Sequence, residues 1–377
     1  MYRPALPGIA GRYFFTTTIA NPKPVTKVLN ETAMFIKKII AAATSFLFCI
    51  TTAQACTTFF IHHNGKMVFG RNYDWMADAG MVCTNQRGLV KTSMKNDDGK
   101  SISWISQYGS ISFNQYGKEF PTGGMNEKGL VVELMWLDGT VYPKPDDRPA
   151  IGVLQWIQYQ LDNCATIEEV IATDKTVRII SKGTPLHYLV ADTKGNAATI
   201  EFLDGKLVVH RGNDLPLPVL TNDTYERLAS GNSKDNSSLE RYSTACKMIK
   251  DYKTAAGAKS LIDQSFDILN NVSAGDYTKW SIVYDLTEKK IWFKTDKFQQ
   301  IRSLSFSSFD FSCNMPSKVM NINSAEQGDI SSYFSDFSRN INQQIFEKTL
   351  EQSALQIVLT PEQKEATLAY AHTINCK

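Results

Sequence analysis

The chain has 377 residues, 40 Lys/Arg against 38 Asp/Glu, a formal charge of +2, 43% hydrophobic residues and seven cysteines. That length can bury one large core or two small ones, and no basic run with interleaved aromatics marks a nucleic-acid or anionic-membrane surface. The cysteines are dispersed with no CxxC pair, which argues against a metal site and against a disulfide-dense scaffold, and nothing in the chain calls for a cofactor.

Met34 to Ala55 reads MFIKKIIAAATSFLFCITTAQA. Lys37 and Lys38 form a basic start, Ile39 to Ile50 is a short apolar run, and Ala53-Gln54-Ala55 puts small residues where a signal peptidase inspects the chain. This stretch is expected to be a secretory signal peptide, making the protein exported, periplasmic or secreted. Residues 1–33 lack an apolar run and carry scattered prolines. They read as a non-native extension upstream of a start at Met34, and residues 56–377 as one domain. Six Lys/Arg and one Glu precede Cys56, so cleavage after Ala55 leaves 322 residues with a formal charge of −3. Cys56 then admits three readings: a disulfide partner, a lipid-attachment site, or a nucleophile whose own α-amine is the base. A lipid-attachment site prefers leucine where this chain has Ala53.

From Cys56 the pattern is largely β. CTTFFIHH, Asn64-Gly65 and KMVFGRNY make a hairpin with a two-residue turn. Short strands follow at ISWIS, SISFN and GLVVELMW. Ile151 to Leu161 has helical apolar spacing, and Thr166 caps a second helix to Thr173. PLHYLVADTKGNAATIEFLDGKLVVH is a three-stranded meander. Leu239 to Tyr252 and Ala258 to Leu269 read as helices, and WSIVYDLTEKKIWFKT as another hairpin. Residues 299–340 have no clear period. Glu347 to Ala354 and Pro361 to His372 form a helical C-terminal appendage, beginning at about 340. A Cys313–Cys376 bridge is compatible with an oxidising compartment, without being deducible. Strands, helices, strands and helices in succession predict two antiparallel sheets with helices outside them, an α+β fold.

Several polar residues have an ordinary reading when taken alone. Arg71 and Asp74, at the end of the second strand beside Cys56, read as a surface ion pair. Asn222 reads as a turn asparagine, Trp136 as core, and Arg241 as a solvated arginine at a helix start. Their order and spacing say more. A chain-initial CT, then GRNYDW, GMNEKGL, LTN and ERY resemble the choloylglycine hydrolase and penicillin V acylase family over roughly Cys56 to Thr295, and most of all its secreted Gram-negative penicillin V acylase-like members. These are N-terminal-nucleophile hydrolases of linear amides. The resemblance implies a four-layer αββα sandwich, Cys56 as nucleophile, Arg71 and Asp74 flanking it, and Arg241 orienting the site. It further implies Asn222 and the backbone N–H of Trp136 as oxyanion donors, and an aromatic pair, Trp75 and Trp136, against the substrate.

The chemistry stands without the name. An α-amine with a pKa near ~8 can take a proton from a thiol near ~8.5, whereas an unburied lysine is too basic to do so. The chain departs from the family pattern at Trp136, where bile salt hydrolases commonly carry asparagine. Two indoles suit an aromatic or fatty acyl group, such as penicillin V or a fatty acyl homoserine lactone, better than a sterol conjugate. The stretch between Asn222 and Arg241 is also shorter than usual, which leaves assembly as a homo-oligomer open. Three alternatives stand beside this small-molecule amidase: a conjugated bile salt hydrolase, a lipid-anchored binding protein with no activity, and a Cys-His hydrolase using one of the five histidines.

Overall fold

Asn64 and Gly65 take positive φ angles of 50° and 74° and close a two-residue hairpin between β1 (Thr57–His63) and β2 (Lys66–Asp74), in register from Thr57↔Asn72 to His63↔Lys66. Such turns match the natural twist of the strands they join. The computed structural model describes residues 55–95, 99–181, 183–255, 259–354 and 357–377. The signal-peptide stretch 34–54 and the upstream extension lie outside them. The elements below fall in one compact unit.

Two sheets form around this hairpin. The first runs β14 (Val219–Leu220), β1, β2, β15 (Thr278–Asp285), β16 (Lys290–Thr295), β17 (Arg302–Ser305) and β19 (Gly328–Asp329). The second runs β13 (Lys206–Arg211), β12 (Ala197–Leu203), β11 (Leu186–Ala191), β8 (Val131–Trp136), β7 (Pro121–Asn126), β6 (Ser110–Asn114), β3 (Met81–Asn85), β18 (Lys318–Asn321) and β20 (Ser335–Asp336). Pairing is antiparallel throughout except at the short β17–β19 edge. Two small sheets sit beside them: β9 (Ala150–Gly152) with β10 (Arg178–Ile180), and β21 (Asn375–Cys376) with β4 (Leu89–Thr92) and β5 (Ser103–Ile105).

Alternation along the hairpin sorts its side chains between two cores. Phe59, Ile61 and Val68 face α4 (Asn236–Thr254) and α5 (Leu261–Asn271), packing with Ala245, Ile249 and Phe266. Phe60, Phe69 and Tyr73 turn into the larger core between the sheets. On the other side, α1 (Val153–Asn163) packs on β7 and β8, and α2 (Ile167–Ala172) follows, started by a reciprocal Thr166–Glu169 capping box. The result is the expected four-layer αββα sandwich.

The C-terminal helices are α6 (Arg339–Gln352) and α7 (Pro361–Tyr370). The first begins at Arg339, earlier than the apolar spacing indicated, because Ser338 caps it by accepting from the Ile341 N–H. Residues 299–340, which lack a period, supply two- and four-residue strands at the edges of both large sheets. Cys313 and Cys376 are joined by a disulfide. Among the described residues no helix is long and apolar enough to cross a membrane, and no group of His, Cys, Asp or Glu is arranged to hold a metal ion.

Candidate active site

The register of the first hairpin sets Cys56 opposite the end of β2, and the sulfur lies 3.7 Å from the backbone oxygen of Asp74. Cys56 is 4% exposed and forms part of the lining of a cavity of about 270 Å³. Trp75, Trp136, Leu134, Val153 and Leu186 line it too, and among the described residues Asp74 is the one charged residue on its walls. The two indoles stand 6.1 Å apart at 34°, with Trp75 donating to the Tyr116 hydroxyl (2.8 Å) and Trp136 to Asp138 (2.7 Å). Among the described residues no histidine lines the cavity. His187 instead faces Glu201 at 3.2 Å, which leaves the Cys-His alternative without support at this cavity.

Arg71 and Asp74 are not a surface ion pair. Both are buried, and they do not pair with each other. Arg71 crosses from the first sheet to the second, where it forms an ion pair with Glu133 of β8 and donates to the Thr122 carbonyl at 2.9 Å. Glu133 also accepts from the Tyr284 hydroxyl of β15 at 2.5 Å. A side chain at Gly123, directly across from Glu133 in the sheet, would collide with that carboxylate, so the glycine makes room for it. The sequence did point to this anion. Glu133 is the one charge inside the apolar run LVVELMW, and a charge so placed needs a buried partner.

Among the described residues Asp74 has no such ion-pair partner. Among the described residues neither of its carboxylate oxygens completes a well-formed hydrogen bond, although the Thr278 hydroxyl lies close enough to act on it. Burial pushes the carboxyl up to about 7, with the Thr278 hydroxyl and the Arg241 and Arg71 guanidiniums pulling the other way. Burial likewise raises the Cys56 thiol, opposed first by Arg71. A thiol in this state needs a base beside it. In the uncleaved chain the Cys56 nitrogen is an amide and cannot serve.

Arg241 lies five residues into α4, past the helix start where it was expected, and is buried. Its Nη1 donates to the carbonyls of Ala55 (2.6 Å) and Cys56 (2.5 Å) and to the Thr57 hydroxyl (2.9 Å). Nη2 donates to the Asn222 side-chain oxygen at 3.2 Å, while Asn222 Nδ2 donates to the Trp136 carbonyl at 2.9 Å. One guanidinium thus links the chain around Cys56 to Asn222, and Asn222 to Trp136. Leu137 donates its N–H to the Pro185 carbonyl. The alternation of an extended strand therefore turns the Trp136 N–H away from β11. All seven residues singled out from sequence converge on this one place.

The chain is similar to several known proteins. Residues 56–228 match the linear amide C-N hydrolases, choloylglycine hydrolase family. The penicillin V acylase of Pectobacterium atrosepticum is 30% identical over 190 residues, covering 45% of this chain and 49% of that one, so the chain spans about half the length of that curated relative. Among solved structures, the penicillin V acylase of Agrobacterium tumefaciens superposes with a TM-score of 0.65 at 24% identity, over 75% of this chain and 98% of its own. A mutant conjugated bile acid hydrolase from Clostridium perfringens gives 0.59 at 19% identity, over 72% and 98%. These two likenesses establish the fold. Over residues 56–228 the sequence is similar to the choloylglycine hydrolase family.

Proposed function

We propose that the protein is an exported cysteine amidase that hydrolyses a linear N-acyl amide with an apolar acyl group, of the type of penicillin V or a fatty acyl homoserine lactone. The observation that carries this reading is a buried carboxylate, Asp74, with no ion pair among the described residues, beside a thiol at an apolar cavity. A cationic amine on Cys56 is the partner that this carboxylate lacks. Met34 to Ala55 acts as the signal peptide, residues 1–33 stand outside the functional protein, and removal of Ala55 releases that amine.

The free amine takes the thiol proton, and Asp74 holds the resulting ammonium. Arg71 and Arg241 favour the thiolate, as their charges already lower the thiol's pKa against burial. The sulfur adds to the amide carbonyl. Asn222 Nδ2, whose second N–H is not needed by the Trp136 carbonyl, and the Trp136 backbone N–H receive the oxyanion. The C–N bond breaks as the leaving nitrogen takes the proton from the ammonium, leaving a thioester on Cys56. Water, deprotonated by the amine, then releases the acid and restores the thiol.

The acyl group lies against Trp75 and Trp136. A cavity whose described lining carries Asp74 as its one charge favours hydrocarbon over the hydroxylated face of a conjugated bile salt. The test is the intact mass of the exported protein, followed by turnover of penicillin V, a fatty acyl homoserine lactone and glycine- and taurine-conjugated bile salts. A mass of residues 56–377 with hydrolysis of the first two is expected, and Cys56→Ala should lower kcat by ~10⁴-fold or more. Fastest turnover of the tauro-conjugate would favour the bile salt reading. A mass raised by a diacylglycerol and an acyl chain, with activity absent, would favour the lipid-anchored binding protein.

A further inference from the structure

Part of the cavity wall comes from chain that lies outside the matched family region, which ends at residue 228. Phe346 of α6, Ile357 and Leu359 after it, and Thr367 of α7 line the same cavity as Cys56 and the two tryptophans. In the superposition, three-quarters of this chain already accounts for 98% of the Agrobacterium acylase, so additional chain is available for such a wall.

The wall is fastened to the two loops that frame the nucleophile. Asn342, fully buried, accepts from the Lys118 N–H at 3.0 Å. Gln352 accepts from the N–H groups of Asp78 and Ala79 at 3.1 and 3.0 Å and donates to the Asp78 carboxylate at 2.6 Å. Asn342 and Phe346 are four residues apart, so the amide that grips and the ring that lines the cavity share a helix face. Ser353 approaches the Tyr116 hydroxyl at 3.4 Å, the same hydroxyl that receives the Trp75 indole N–H. The far end is held by the Cys313–Cys376 disulfide and by β21 pairing with β4.

We propose that this C-terminal wall is the ruler for the acyl chain: Phe346, Ile357, Leu359 and Thr367 meet the far end of an apolar acyl group and set the length the site accepts. The wall carries no charge, so it suits a hydrocarbon or aryl tip and rejects an acyl group ending in a carboxylate. The proposal rests on the amidase reading for its substrate but not for its geometry.

The test uses Leu359→Trp and Leu359→Ala, at a half-buried position where either should fold, and Phe346→Leu. Two readouts are taken. One is kcat/KM on acyl homoserine lactones of 4 to 14 carbons. The other is calorimetric binding of straight-chain carboxylates of the same lengths to Cys56→Ala protein carrying each substitution. Leu359→Trp should shorten the preferred chain by about two carbons and weaken the longest by about 10-fold or more, since each methylene in an apolar pocket is worth about 10-fold or more. Leu359→Ala and Phe346→Leu should lengthen it. Shifted binding profiles without any amide turnover by the parent protein would keep the ruler and remove the amidase reading. Turnover with one length profile across all variants would keep the amidase and overturn the ruler. Failure of the carboxylates to bind at any length would overturn it as well.

Discussion

The hairpin that follows Cys56 and the C-terminal segment border one cavity and are built on opposite terms. On β1 and β2 the site residues are charged or polar and buried between two sheets. In the C-terminal segment the lining residues Ile357 and Leu359 are apolar and half-buried, and the segment is held by two side-chain amides and one disulfide. Under the proposed function the difference follows from the work each part has to do. Charges that act on a thiol must be fixed in a dry interior, which demands packing on both sides. Recognition of a hydrocarbon needs only apolar area at the right distance, which a peripheral segment can supply and change.

The sharpest test of that contrast is at Glu133. Glu133→Ala leaves the Arg71 guanidinium buried between the sheets without its anion, and removing one partner of such a pair typically costs about 3–5 kcal/mol. Glu133→Gln should cost less, because the amide oxygen can still accept from Arg71 while the amide NH2 donates to the Tyr284 hydroxyl. Urea midpoints of the two variants against Leu359→Ala measure it. An unchanged midpoint for Glu133→Ala would mean that the hairpin is not anchored through this pair.

Glu133 also shows how far the sequence can be read. The hairpins, the capping box at Thr166 and the layer order are local patterns, and they are visible because turn residues and alternation act within a few positions. The seven site residues were visible because the family's motifs carry them. Arg71's partner was not. It lies 62 residues away on another sheet, and the run LVVELMW looks like an ordinary buried strand until its one charge is asked for a counterion. Residues 299–340 were illegible because strands of two to four residues have too few alternations to register. The apolar stripe of α6 announces that it packs on something, without saying that the something is the cavity.

The wall has its own test in the disulfide. Cys313 and Cys376 are 63 residues apart, and cross-links over loops of this order stabilise by about 2–4 kcal/mol, largely by restricting the unfolded chain. Replacing both by serine should lower the denaturation midpoint accordingly and broaden the range of acyl lengths accepted. The rate at which Cys56 reacts with a small alkylating agent should stay as it was. A change in that rate would show that the wall and the nucleophile are coupled more tightly than the two-part division allows.

The smallest expected effect isolates the nucleophile side alone. In the uncleaved chain burial raises the Asp74 carboxyl to about 7 from 3.8. Between about pH 4 and 7 the folded state therefore keeps a proton that the unfolded state has released. Stability from this group is full below about pH 4, falls as pH rises towards 7, and is flat beyond. At about 1.4 kcal/mol per unit, the uncleaved protein should lose roughly 2–3 kcal/mol between pH 5 and 7. Under the proposed function, cleavage gives a Cys56 ammonium that should stabilise the carboxylate and lower its pKa, so the same interval should be nearly flat. Urea midpoints at pH 5 and 7 for the cleaved chain, for a chain kept uncleaved by Ala53→Lys, and for that chain with Asp74→Asn separate the cases. The uncleaved slope should disappear with Asp74→Asn. Equal slopes in the cleaved and uncleaved proteins would show that Asp74 does not hold the amine, and the base in the proposed mechanism would have to be found elsewhere.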